Sequence, residues 1–196
     1  MRILRNKKFK IIVTLLVAFI MLSTSTVSTY AASKAYTLLP YSLNGGVGNW
    51  GYNKRYYWLD SSASKISDKI LDSYNAWIYT SDILETPISW RRTTTKSNGT
   101  VEFYTYNNAD NCNGYTSFWL YNDAVRPRQE NWGWCMIYYN NHYNGGKGTI
   151  AHEIGHTMGL DENNTNPNTV MCQASSGRKV STPKLGDLKG INAKYN

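Results

Sequence analysis

Cysteine, histidine and proline are scarce in this 196-residue chain, at three, three and five residues. Three cysteines are too few for a disulfide-stapled miniature. Being odd in number, they leave one thiol unpaired or paired between molecules, and the three pairings among Cys112, Cys135 and Cys172 stay open. Internal repeats and low-complexity linkers are absent beyond residue 32, so Ser33 to Asn196 reads as one unit. A membrane-spanning run is missing as well. The longest apolar stretch, "IIVTLLVAFIML", has twelve residues, against the roughly 20 that a spanning helix needs.

That stretch follows the basic "MRILRNKKFK" and precedes the small-residue "STSTVSTYAAS". The order is that of a secretory signal peptide over residues 1–32, with cleavage expected near Ala31 or Ala32, an extracellular destination and no membrane attachment afterwards. Its removal changes the charge argument. Five of the 21 basic residues leave with it, so 16 face 13 acidic residues and the net charge falls from +8 to +3. Nucleic acid is therefore not an expected partner. The remaining 164 residues (196 less 32) suffice for one domain with a real core, expected to be a monomer.

The order of local patterns predicts a fold class. "RYYWLD" (55–60) is a β-rich run, and in "SSASKISDKILDSYNAWIYT" Ile66, Ile70, Tyr74, Trp77 and Ile78 recur at helical spacing after serines able to cap. "ISWRRTTT" and "TVEFYTY" are strand-like and flank "KSNG", whose Asn-Gly is a strong turn signal. "GYTSFWLY" from Gly114 and "WCMIYYN" from Trp134 follow as short strands. A helix is expected from about Thr149 to Met158, and a closing helix in "STPKLGDLKGINAKY" with Pro183 in its first turn. Strands interleaved with helices point to an α/β (α+β) arrangement, a mixed sheet with helices packed on it. The 16 Tyr and 7 Trp suit the packing of that sheet; a sugar-stacking surface is the sharper reading of the same rings.

The chemistry concentrates in "AHEIGHTMGLDENNTNPNTVMC" (151–172). His152 and His156, four residues apart on a helix, project from one face with Cβ atoms about 5–6 Å apart, close enough to share an ion. Glu153, the next residue, can reach a water in an open coordination position. Two of the chain's three histidines occupy this HExxH pattern. Gly159 can take positive φ and turn the chain back toward the metal.

"HEIGHTMGLDE" resembles the metzincin zinc-peptidase signature HExxHxxGxxH, and "NTVMC" is similar to that family's Met-turn. "LGDLKGINAKY" resembles the last helix of matrixin-type catalytic domains. The resemblance implies a mostly parallel twisted sheet with one antiparallel edge strand, an active-site helix and a C-terminal helix. It implies one catalytic Zn²⁺ held by His152 and His156, Glu153 as general base and acid, and Met171 beneath the metal. The third ligand position counts to Glu162 in place of the usual histidine, and a carboxylate oxygen binds zinc at about 2.0–2.2 Å. Asp161, one residue earlier, is expected to make a structural hydrogen bond instead. "GYTSFWLY" would be the edge strand above the cleft, able to pair with an extended peptide.

The expected activity is thus that of a secreted metalloendopeptidase acting on proteins or peptides. A secreted binding protein that keeps a structural metal site is the rival, and Glu153 argues against it. The loops "NNADNCNG" and "ENNTNPN" carry oxygen ligands suited to calcium but lack EF-hand spacing, so no calcium site is assigned. Residues 33–53 are too short for an obvious inhibitory prodomain.

Overall fold

Runs of aromatic and β-branched residues build six strands: β1 (Arg55–Leu59), β2 (Trp90–Arg92), β3 (Val101–Tyr106), β4 (Gly114–Leu120), β5 (Asp123–Val125) and β6 (Trp134–Asn140). The computed structural model describes residues 34–196; the signal segment expected over 1–32 lies outside the described residues. The strands form one sheet in the order β2-β1-β3-β6-β4-β5. Pairings β1–β2, β1–β3 and β3–β6 are parallel, and β4 runs antiparallel to both β6 and β5. The architecture is therefore the expected mixed, mostly parallel sheet with an antiparallel edge.

Two details differ from the sequence reading. The Asn98-Gly99 turn does not close a hairpin: β1 lies between β2 and β3, so the chain crosses it after a short 3₁₀ turn. The turn itself forms, with the Gly99 N–H bonded to the Lys96 carbonyl at 2.8 Å; which strands it separates is decided by pairing across the sheet. In addition, β4 is not bare along its length. The three-residue β5 covers Phe118–Leu120 and leaves only Gly114–Ser117 at the open edge.

Three helices accompany the sheet: α1 (Ser67–Ile78), α2 (Gly146–Thr157) and α3 (Leu185–Tyr195). Among the described residues no helix is long and apolar enough to cross a membrane. The turn leading into α1 is capped by Asp60, which accepts from the Ser62 N–H at 2.9 Å, rather than by a serine. On α1, Ile70, Ser73, Tyr74 and Trp77 are buried at the i, i+3, i+4, i+7 spacing of a single stripe. Tyr74 stacks on Tyr57 of β1 at 3.9 Å, and Trp77 Nε1 donates to the Ala151 carbonyl of α2 at 3.0 Å. Burying one such large apolar side chain stabilises the fold by about 2–3 kcal/mol. Trp77 thus docks α1 firmly against the helix that carries the histidines.

Alternation along the strands sends Tyr57, Val101, Phe103, Cys135, Ile137 and Tyr139 into the core. On the opposite face the rings of Tyr104, Tyr138 and Tyr115 lie side by side on neighbouring strands, with centroids 5.3 and 4.9 Å apart and planes within 20°. Their faces cover one another, so this part of the aromatic surplus serves cross-strand packing.

The closing helix starts at Leu185, two residues after Pro183, so that proline precedes the first turn instead of lying in it. Asp187 accounts for the start: its carboxylate accepts from the Lys184 N–H at 2.7 Å. All three cysteines are free thiols, and none of the three pairings is formed. Cys135 points into the core from β6, while the thiols of Cys112 and Cys172 donate to the local carbonyls of Gly114 and Gln173.

Candidate metal centre and cleft

Helix α2 is buried nearly all round, which places His152 and Glu153 inside the protein at 5% and 6% exposure. Such polar groups are tolerated only with partners, and each histidine has one. His152 Nδ1 lies 2.9 Å from the Val170 carbonyl and His156 Nδ1 2.9 Å from the Leu160 carbonyl. A carbonyl only accepts, so both Nδ1 atoms carry a proton, and the Nε2 atoms are the ones turned toward the cleft, free to take a proton or a metal ion. Those Nε2 atoms stand 3.1 Å apart, with the rings nearly perpendicular.

Glu162 completes the group. After α2 the chain reverses at Gly159, whose φ is +85°. Leu160 N–H bonds the Gly155 carbonyl and Gly159 N–H the His156 carbonyl, the double bond of a Schellman turn. A Cβ at Gly159 would lie 2.3 Å from Lys194 Cε of α3, so the turn is pressed against the closing helix. The returning segment is then strapped by the N-terminal residues: Leu39 N–H bonds the Gly159 carbonyl and Asp161 N–H the Thr37 carbonyl. This brings Glu162 Oε1 to 3.4 Å from both Nε2 atoms.

His152, His156 and Glu162 together offer ligand atoms within 4.8 Å of one another and could hold a metal ion. The residues fit such an ion on two counts. Two facing imidazole lone pairs repel unless a positive charge lies between them. Moreover, Glu162 Oε2 is buried and has no hydrogen-bond partner among the described residues, a cost that coordination would remove. The electrostatics agree. Burial would raise the Glu162 pKa, but hydrogen bonds and charge from His152 and His156 pull it down to about 2. Burial would lower that of His156, yet Glu162 and Glu153 raise it to about 9. The cluster attracts positive charge, whether proton or cation.

Asp161 sits apart from this group, as expected for a structural role. Its carboxylate receives Arg128 Nη2 at 2.5 and 2.8 Å and the Glu162 N–H at 2.9 Å. Met171 is buried beneath α2, where an added Cβ on Gly155 would come within 2.3 Å of its sulfur. Asp187, the main downstream carboxylate, is tied to Thr169 Oγ1 and the Val170 N–H, so α3 pins the turn whose Val170 carbonyl orients His152. His142 packs edge-on against Tyr143 and lies outside the three-residue group.

His152, Glu153, His156, Asp161 and Glu162 line an open cleft of about 470 Å³ bounded by α2, β4 and the segment after Met171. Sequence reasoning missed several of its residues. Thr116 of β4 donates to Glu153 Oε2 at 2.8 Å, Gln173 Nε2 donates to Glu162 Oε1 at 3.1 Å, and Arg128 and Arg178 line the walls. Thr116 lies 37 positions from Glu153, and no local spacing could have linked them. No protein-family model matches the chain, and no curated protein matches it either.

Proposed function

We propose that the chain is a secreted zinc-dependent endopeptidase of the metzincin type, similar to matrixin catalytic domains, in which Glu162 replaces the third histidine. The observation that carries this reading is the place of Glu153. It is buried in the same cleft as the His152/His156/Glu162 group and is anchored by Thr116, whereas a structural metal site has no use for such a carboxylate. The start of the sequence, basic then apolar then small, supports export.

His152, His156 and Glu162 would hold the ion, which supplies Lewis acidity toward the scissile carbonyl and the attacking water. Glu153 takes the proton of that water on its carboxylate and passes it to the departing amine. Thr116 fixes one oxygen of Glu153, which leaves the other for the water. The uncovered stretch Gly114–Ser117 of β4 offers main-chain N–H and C=O groups to an extended peptide. The Val170 and Leu160 carbonyls hold the imidazoles in the tautomer that keeps Nε2 free for a metal.

Purified protein incubated with casein, with and without a zinc chelator, tests the proposal. Cleavage that stops with chelator and returns with added zinc is expected. Chelator-resistant cleavage, or no cleavage by protein carrying one zinc per chain, would overturn it.

A further inference from the structure

Two guanidinium groups line the cleft, and they differ in one respect. Arg128 is neutralised by Asp161. Arg178 is half-buried, and no ion pair among the described residues includes it. Its contacts are long and to uncharged oxygens: Cys172 O at 3.3 Å, Thr149 Oγ1 at 3.4 Å and Val170 O at 3.5 Å. Burial depresses its pKa, and Glu153 and Glu162 act on it only through charge at a distance. A desolvated guanidinium without an anionic partner gains most from a carboxylate, which accepts two of its N–H groups at once.

The position of Arg178 along the cleft is set by β4. Thr149, which Arg178 touches, faces Gly114, since a Cβ on Gly114 would stand 3.4 Å from Thr149 Cγ2. Glu153 faces Thr116. The two levels are two strand residues apart, about 7 Å. A peptide laid along the uncovered half of β4 with its reacting bond at Glu153 therefore brings a residue one or two positions away to Arg178.

Resting on the peptidase reading above, we propose that Arg178 determines specificity by receiving a carboxylate of the bound peptide within two residues of the cleaved bond. That carboxylate is either an Asp or Glu side chain or the free C-terminus of a short peptide, and the chemistry at Arg178 is the same for both.

The test uses the zinc-loaded protein and fluorogenic peptides of one sequence that carry Glu, Gln, Leu or Lys at each position flanking the cleaved bond. A second pair differs only in a free or amidated C-terminus near that bond. At one position kcat/KM for Glu should exceed that for Gln by about tenfold or more. The ratio should fall to near one in Arg178→Gln and survive in part in Arg178→Lys, with thermal melting and zinc content checked for both variants. A gain confined to the free C-terminus identifies the α-carboxylate as the source. Absence of any carboxylate preference, or an unchanged preference in Arg178→Gln, overturns the proposal. If no peptide is cleaved, the peptidase reading falls, and the same peptides are titrated by fluorescence anisotropy. Tighter binding of the Glu peptide that is lost in Arg178→Gln still supports Arg178 as the carboxylate receptor, and equal binding refutes it.

Discussion

The hydroxyl of Thr116 donates to Glu153 Oε2 at 2.8 Å, and joins the edge strand of the sheet to the central helix across the cleft. The hydroxyl oxygen also lies 3.2 Å from the Glu153 carbonyl, but its single proton goes to the shorter contact, the carboxylate. A hydrogen bond to a carboxylate is stronger than one between neutral groups. Thr116 therefore acts through Glu153, as a positioning residue.

Thr116→Val keeps the shape of the side chain but removes this donor. On a peptide substrate, kcat should fall about tenfold with KM little changed, as expected when one hydrogen bond to a charged group is lost. Thr116→Ser, which restores the hydroxyl, should recover most of the rate. Equal kcat in the Val variant and the parent would remove Thr116 from the mechanism.

Glu153 itself should be required for turnover but not for metal. Glu153→Gln should lower proteolysis by about a hundredfold to ten-thousandfold, while metal analysis still finds close to one zinc per chain. Undiminished turnover in this variant would sink the proposed mechanism.

Glu162 and Asp161 are adjacent, yet the structure gives them different partners. Glu162 faces the two histidines, while Asp161 is closed off by Arg128. Two neutral imidazoles and one carboxylate leave a bound divalent ion with a net charge of about +1, and losing that carboxylate removes both a ligand and its charge. In a competitive zinc titration, Glu162→Ala should weaken affinity by about a hundredfold or more, beyond the range for residues that merely support ligands. Asp161→Ala should leave affinity within a few-fold and cost about 1 kcal/mol of stability, the scale of a pair whose arginine is largely exposed. Glu162→His should restore much of the binding. The reverse order of the two Ala variants would show the ligand assignment to be off by one residue.

What was legible in the sequence follows the range of the interactions. The histidine spacing, the Gly159 reversal and the position of Glu162 lie within eleven residues of one another; helix geometry translates the histidine spacing directly into space, while Glu162 was legible only through the resemblance to the metzincin signature. Strand β6 was legible to the residue because its aromatic and β-branched run is long. The placement of β1 between β2 and β3 was not, because strand order is decided by pairing across the sheet and not by the Asn-Gly turn. Strand β5 is three residues long and exposed on most of its length, which leaves no alternation to read. Thr116, Arg128 and Arg178 reach the cleft from three separate parts of the chain, and only the assembled sheet and helices bring them together.

Gly155 and Met171 offer a test of how the fold supports the histidines. A Cβ at Gly155 would stand 2.3 Å from Met171 Sδ and 3.2 Å from Trp77 Cζ2, both in a close-packed interior. The methionine turn is also where the Val170 carbonyl meets His152 Nδ1. Gly155→Ala must therefore displace the end of the Met171 side chain, and should destabilise the protein by about 1–3 kcal/mol; a shift passed on to the turn and its Val170 carbonyl is read as weaker zinc binding. Met171→Leu nearly conserves volume and should cost less than about 1.5 kcal/mol with zinc retained. Met171→Ala alone leaves a cavity costing about 2–5 kcal/mol, but that space is where the methyl group introduced by Gly155→Ala would go. The double variant Gly155→Ala, Met171→Ala should then be more stable than the sum of the single losses predicts, by about 1 kcal/mol or more in a double-mutant cycle followed by chemical denaturation. Strict additivity would mean that the helix and the methionine turn do not press on one another, and the account of how His152 is held would have to change.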